Sequence, residues 1–259
     1  MSSTPPDPAE GGASCESPGP VSCDQLDYSE WLVAAGGAAA GASGAADAGA
    51  GGASGIDIGL GAGDLTLLVI FDKSGSMQAP WDLRNRWQAA SDSMIAGMAP
   101  YLDNLTIGAI LFPKPDECAV APLDDATQIN FVPGRQFVDE WVESACLNQP
   151  NGSTPMELAF RMADQALDSA GQLGLLDDRF RVVLVTDGEP NCDTHVELLP
   201  QFAATWYQEL GVETWVIGLP GSDGAAALLD SIALAGGTTK HTPAGNPCAF
   251  QQAVAAAAK

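Results

Sequence analysis

Two stretches of the chain are almost continuously apolar: Leu65-Thr66-Leu67-Leu68-Val69-Ile70-Phe71, and Val182-Val183-Leu184-Val185 following Arg181. Runs of this length and β-branched content predict strands buried on both faces, as in a parallel sheet. Leu105–Phe112 and Val212–Leu219 read the same way, and Thr127–Val132 reads as a weaker strand. Between the runs the period changes from strand to helix. Trp87, Ala90, Met94 and Met98 recur at helical spacing, as do Phe137, Trp141 and Ala145. Leu158, Met162 and Ala166 mark a third helix, and Phe202, Trp206 and Leu210 mark a fourth with those side chains inward. Ala225–Ala235 is a helix ended by Gly236-Gly237; a short strand near Thr239–His241 and a helix from Cys248 onward complete the pattern. Alternating strands and helices predict βαβ units and an α/β fold on a mostly parallel sheet.

This pattern begins only near residue 60. Residues 1–20 are rich in Pro, Ser and Gly, and residues 34–55 are almost wholly Ala, Gly and Ser. The glycines disfavour a helix by about 1 kcal/mol each, so the stretch reads as a flexible linker. Tyr28, Trp31, Leu32 and Val33 form a small apolar cluster within it. The predicted organisation is a low-complexity stalk over 1–59 and a globular domain over 60–259. The Ala/Gly stretch is too weakly apolar, and interrupted by Asp47, to cross a membrane.

Charge narrows the choice of partners. The chain has 33 Asp and Glu against 10 Lys and Arg, a net charge of −23. Eight of the acidic residues and none of the basic ones fall in 1–59, so the domain is acidic in its own right. Such a field repels phosphate backbones and argues against nucleic-acid binding.

The candidate chemistry follows directly on the first buried strand. In Asp72-Lys73-Ser74-Gly75-Ser76-Met77 a carboxylate and two hydroxyls alternate along a Gly-containing turn. Open α/β sheets place their ligands at this carboxyl edge. Hard oxygen donors suit Mg²⁺, Mn²⁺ or Ca²⁺. Two further pieces come in order: Gly152-Ser153-Thr154-Pro155 opens a helical segment, and Thr186-Asp187-Gly188 ends a buried strand. Taken singly, each piece is equally a turn or an N-cap. Together they resemble the von Willebrand factor A (vWA) family and its metal-ion-dependent adhesion site. The resemblance covers roughly residues 60–259 and implies a doubly wound, Rossmann-like domain. It places the metal ligands on Asp72, Ser74, Ser76, Thr154 and Asp187, with the serine hydroxyls direct and Asp187 often acting through water. In such a site the ion is under-neutralised and takes an Asp or Glu of a protein partner as its last ligand. A bacterial secreted or surface protein, a binding module and not an enzyme, is what the resemblance implies.

Two other readings have some footing. Domains of this kind also serve as intracellular assembly subunits beside AAA+ ATPases in chelatase-like machines. A metal-assisted hydrolase on Asp72 and Asp187 would need a general base or activated nucleophile beside the metal. His195 and His241, the only histidines, read as surface residues.

Six cysteines, Cys15, Cys23, Cys118, Cys146, Cys192 and Cys248, contain no C-x-x-C pair and so no zinc spacing. Their even number and scatter fit disulfides in an oxidising compartment, extracellular, periplasmic or surface-tethered. The pairings expected from the coarse element order are Cys118–Cys146, Cys192–Cys248 and Cys15–Cys23. Met1–Pro6 shows no basic segment and no apolar segment of a secretory leader, so this reading requires a leader that is not in the sequence.

Overall fold

The structure is a computed structural model that describes residues 65–259 apart from residues 116, 148, 177, 178, 193 and 194. The expected stalk and the Cys15–Cys23 bridge lie outside the described residues.

A six-stranded sheet forms the middle layer. Its strands are β1 (Leu65–Asp72), β4 (Leu105–Phe112), β5 (Ile129–Pro133), β6 (Phe180–Thr186), β7 (Glu213–Gly218) and β8 (Thr242–Pro243). Their order is β5-β4-β1-β6-β7-β8, parallel throughout except for β5, which runs antiparallel to β4. The helices are α1 (Arg86–Met98), α2 (Gly134–Leu147), α3 (Met156–Gln172), α4 (Leu199–Leu210), α5 (Ala226–Ala235) and α6 (Pro247–Ala257). A two-stranded ribbon, β2 (Pro80–Trp81) and β3 (Arg84–Asn85), leads into α1 and has no apolar run to announce it.

All eight residues of β1 are buried, because helices cover both of its faces. Leu65, Leu67, Val69 and Phe71 join one core with α1, α2 and α6, where Phe71 meets Trp87 and Trp141 edge-on. Leu68 and Ile70 point the other way, into a core built from α3, α4 and α5 around Phe160 and Trp206. Period-2 alternation of a single strand thus feeds two cores.

The chain leaves β1 to form β4 on one side and later returns to form β6 on the other. The topological switch point therefore falls at the carboxyl end of β1, the crevice where such sheets bind ligands.

Two sequence readings need correction. Leu158 and Leu210 are partly exposed, since α3 turns Ala159, Phe160, Ala163 and Leu167 inward instead, and Leu210 is in the last turn of α4. The last strand is Thr242–Pro243, just beyond Thr239–His241, because pairing with Ile217 and Gly218 sets its position.

Candidate metal centre

Asp72 is the last residue of β1 and is fully buried. One of its oxygens accepts the Ser74 backbone N–H at 2.8 Å, closing the turn, and the other accepts the Thr186 hydroxyl at 2.7 Å. Both carboxylate oxygens are thereby fixed in place. The hydroxyls continue the chain of oxygens: Ser74 Oγ lies 3.0 Å from Ser76 Oγ, and Ser76 Oγ donates to Asp187 Oδ1 at 2.6 Å. A hydroxyl has one hydrogen, so with Ser76 directed at Asp187, Ser74 is the donor between the serines. Asp187, also buried, accepts Arg86 Nη1 on its second oxygen at 2.7 Å.

The loop that carries Thr154 is knitted to the turn after β1. Gly75 N–H donates to the Gly152 carbonyl at 3.0 Å, and Asn151 N–H donates to the Lys73 carbonyl at 2.9 Å. Gln78 Nε2 reaches the Pro150 carbonyl at 2.6 Å. These bonds bring buried Thr154 to the same edge, and its N–H is held by Asn191 Oδ1 at 2.8 Å. Asp72, Ser74, Ser76 and Asp187 are linked by direct hydrogen bonds, while Thr154 is positioned through its loop.

Charge is unbalanced here. Burial, reinforced by the neighbouring Asp187 carboxylate, pushes Asp72 up to about 7, against the lowering pull of hydrogen bonds from Thr186 and Ser74. Two carboxylates face one guanidinium, so the cluster holds one negative charge in excess when both are ionised. The donor set is carboxylate and hydroxyl oxygen, the chemistry of a hard divalent cation. No cluster of three or more His, Cys, Asp or Glu occurs among the described residues. Serine hydroxyls fill out this donor set, so it falls short of such a cluster by composition. The residues present fit a divalent ion on both counts.

Three contributors were not singled out in the sequence. Thr186 stands one residue before Asp187, but its role depends on β6 lying beside β1. Arg86 lies in the first turn of α1, and nothing in the sequence ties it to Asp187, 101 residues away. Gly221, with φ of +104°, makes room for it: a Cβ there would stand 2.7 Å from Arg86 Nη1 and 2.8 Å from the Asp187 carbonyl. Asn191 is the third. Lys73, inside the motif, is buried with no hydrogen-bond partner for Nζ among the described residues, and burial lowers its pKa against the pull of Asp125.

The disulfide expectation is overturned. Cys118 bonds to Cys192, so neither Cys118–Cys146 nor Cys192–Cys248 forms. The loops after β4 and after β6 meet at this edge, across a sequence separation of 74, and coarse element order could not choose between loops converging there. His195 sits by Glu197 at 3.1 Å and is exposed; His241 sits by Asp230 at 2.6 Å and is half-buried.

No family model matches the sequence, and no protein of curated function matches it. Solved structures do match in fold. The manganese-loaded TRAP protein of Plasmodium vivax is 19% identical with a TM-score of 0.51, over 76% of this chain and 72% of that one. The pilus adhesin SpaC of Lactobacillus rhamnosus GG is 13% identical with a TM-score of 0.54, over 75% of this chain and 30% of that one. The N-terminal domain of TFIIH p34 is 13% identical with a TM-score of 0.50, over 74% of this chain and 97% of that one. The doubly wound sheet with its helices is therefore a vWA-like fold.

Proposed function

We propose that this domain is a divalent-metal-dependent protein-binding module, holding Mg²⁺ or Mn²⁺, with Ca²⁺ as a further option, through Asp72, Ser74, Ser76, Thr154 and Asp187. The observation that carries this reading is the buried run of oxygens from Asp72 through Ser74 and Ser76 to Asp187, negative in excess at the sheet's switch point. The bound ion supplies a centre of positive charge that an acidic side chain of a partner completes. Arg86 stays paired to Asp187, so the two carboxylates are not free to neutralise the ion fully. The site as a whole then carries net positive charge within an acidic domain and selects a carboxylate. The reading is that of a binder and not an enzyme. The adhesin neighbour and the manganese-loaded TRAP neighbour support an adhesion-type role. The Cys118–Cys192 bridge supports an extracellular, periplasmic or surface-tethered location.

A second reading, an intracellular assembly subunit, draws support from the TFIIH p34 neighbour. One experiment separates them: a pull-down from surface and cytosolic fractions, with Mg²⁺ and with EDTA, using wild type and Asp72→Ala. Adhesion predicts a surface partner captured only by wild type with metal. Equal capture by all four combinations of protein and metal condition overturns the metal-dependent reading.

A further inference from the structure

Cys146 ends α2 and Cys248 opens α6, and both are disulfide-bonded. Cys118 and Cys192 bond to each other, so neither is the partner of either. Helix α1 stands between the two. On one flank its Trp87, Ser91 and Ile95 share a groove of about 250 Å³ with Trp141 and Cys146 of α2. On the other flank Ala89 and Ser93 share a hollow with Pro247, and Gly97 lies against Gln251 and Val254 of α6. Positions 87, 91 and 95 form one i, i+4 row, and 89, 93 and 97 form another, turned about 200° around the helix. A helix is about 10–12 Å across, whereas a disulfide needs Cα atoms within about 7 Å. Cys146 and Cys248 therefore do not bridge each other across α1.

The only other cysteines in the chain are Cys15 and Cys23. We propose that the N-terminal segment 15–33 docks across α1, one of its cysteines bonded to Cys146 and the other to Cys248. Tyr28, Trp31, Leu32 and Val33 of that segment supply the apolar cover for the groove at Trp87 and Trp141. A second observation points the same way. Asp92 projects from α1 opposite Met94, away from the sheet, yet it is only 4% exposed. Among the described residues it is paired with Arg84 alone, beside Pro247 in the second hollow. The burial on this outer side is local, since Gln88 one turn earlier is exposed, and it falls where the groove and the hollow meet at Asp92. Reach is ample: the eight chain steps from Cys15 to Cys23 extend about 26 Å, and the 42 steps from Cys23 to Leu65 extend well over 100 Å.

Protease digestion of the full non-reduced chain, read by mass spectrometry, tests the pairing. The expected result is two cross-links, each joining a peptide of Cys15 or Cys23 to a peptide of Cys146 or Cys248. A Cys15–Cys23 link, or a link between two copies of the chain, overturns the proposal. The seating of the apolar cluster has its own readout. In Tyr28→Ala with Trp31→Ala, amide exchange over residues 87–95 and 141–146 should quicken about tenfold, with both cross-links retained. Unchanged exchange there overturns the assignment of the groove's occupant.

Discussion

Two arginines separated by one residue, Arg84 and Arg86, each pair with a buried aspartate, yet the two places differ in kind. Arg84 binds Asp92 on the outer side of α1, one cation to one anion among the described residues. Arg86 binds Asp187 at the switch point, but Asp187 is tied through Ser76 and Ser74 to a second buried carboxylate that has no cation of its own among the described residues. The first pair is balanced and holds structure together. The second leaves an anion in excess when both carboxylates are ionised, with Asp72 pushed up to about 7, and that is where we propose a cation binds. Burial and an ion pair alone do not mark a site; charge left unmatched among hard oxygens does.

The largest effect expected from breaking this contrast is on metal binding. Calorimetry of chelator-treated protein should show one Mn²⁺ site, absent in Asp72→Ala and retained in Arg84→Ala. Binding unchanged in Asp72→Ala would remove the site from this edge.

Stability should respond in the opposite sense. Arg84→Ala leaves Asp92 buried without its cation and should cost about 3–5 kcal/mol by denaturant unfolding, since an uncompensated buried charge is expensive. Asp72→Asn in metal-free buffer should not destabilise near neutral pH, because it removes the unmatched charge.

The same unmatched charge sets a pH dependence. A carboxyl whose pKa is raised on folding adds stability at low pH, complete below its unfolded value near 3.8, and the gain is lost as pH rises through about 7. Metal-free wild type should therefore lose up to about 1.4 kcal/mol per pH unit from this group between pH 4 and 7. The slope difference between wild type and Asp72→Asn, measured by urea melts, isolates it. Identical slopes would mean that Asp72 ionises freely in the fold.

The smallest effect sharpens the role of Arg86. Its charge opposes a cation at Asp187 but leaves the occupied site more positive toward a partner. Arg86→Gln should tighten Mn²⁺ about tenfold, a change on the order of 1–2 kcal/mol for one nearby charge, and weaken capture of an acidic peptide. Tighter peptide capture in that variant would contradict the arrangement.

Much of this site was legible because its core is local. Asp72, Ser74 and Ser76 sit on one turn, at the end of a strand whose burial is written in seven consecutive residues. Thr154 and Asp187 lie at element boundaries, so the α/β alternation carries all five to one edge. The short β2–β3 ribbon went unseen for lack of an apolar run. The α3 face was misjudged because small alanines, which carry little hydrophobic signal, make up much of its contact with the sheet.

Periodicity and composition alone therefore determined the sheet and its flanking helices, since these depend on neighbours within a few residues of each other, while the oxygen-donor motif was picked out by its resemblance to the vWA family. Only the tertiary structure decided which side chains meet across long separations. Thr186 reaches Asp72 because β6 lies beside β1, Arg86 reaches Asp187 because Gly221 leaves it room, and Cys118 finds Cys192 because two loops converge. Lys73 is buried, its backbone bonded to Phe112 and Asn151, both distant in sequence. Each of these contacts rests on the packing of surfaces distant in sequence, and no local pattern records it.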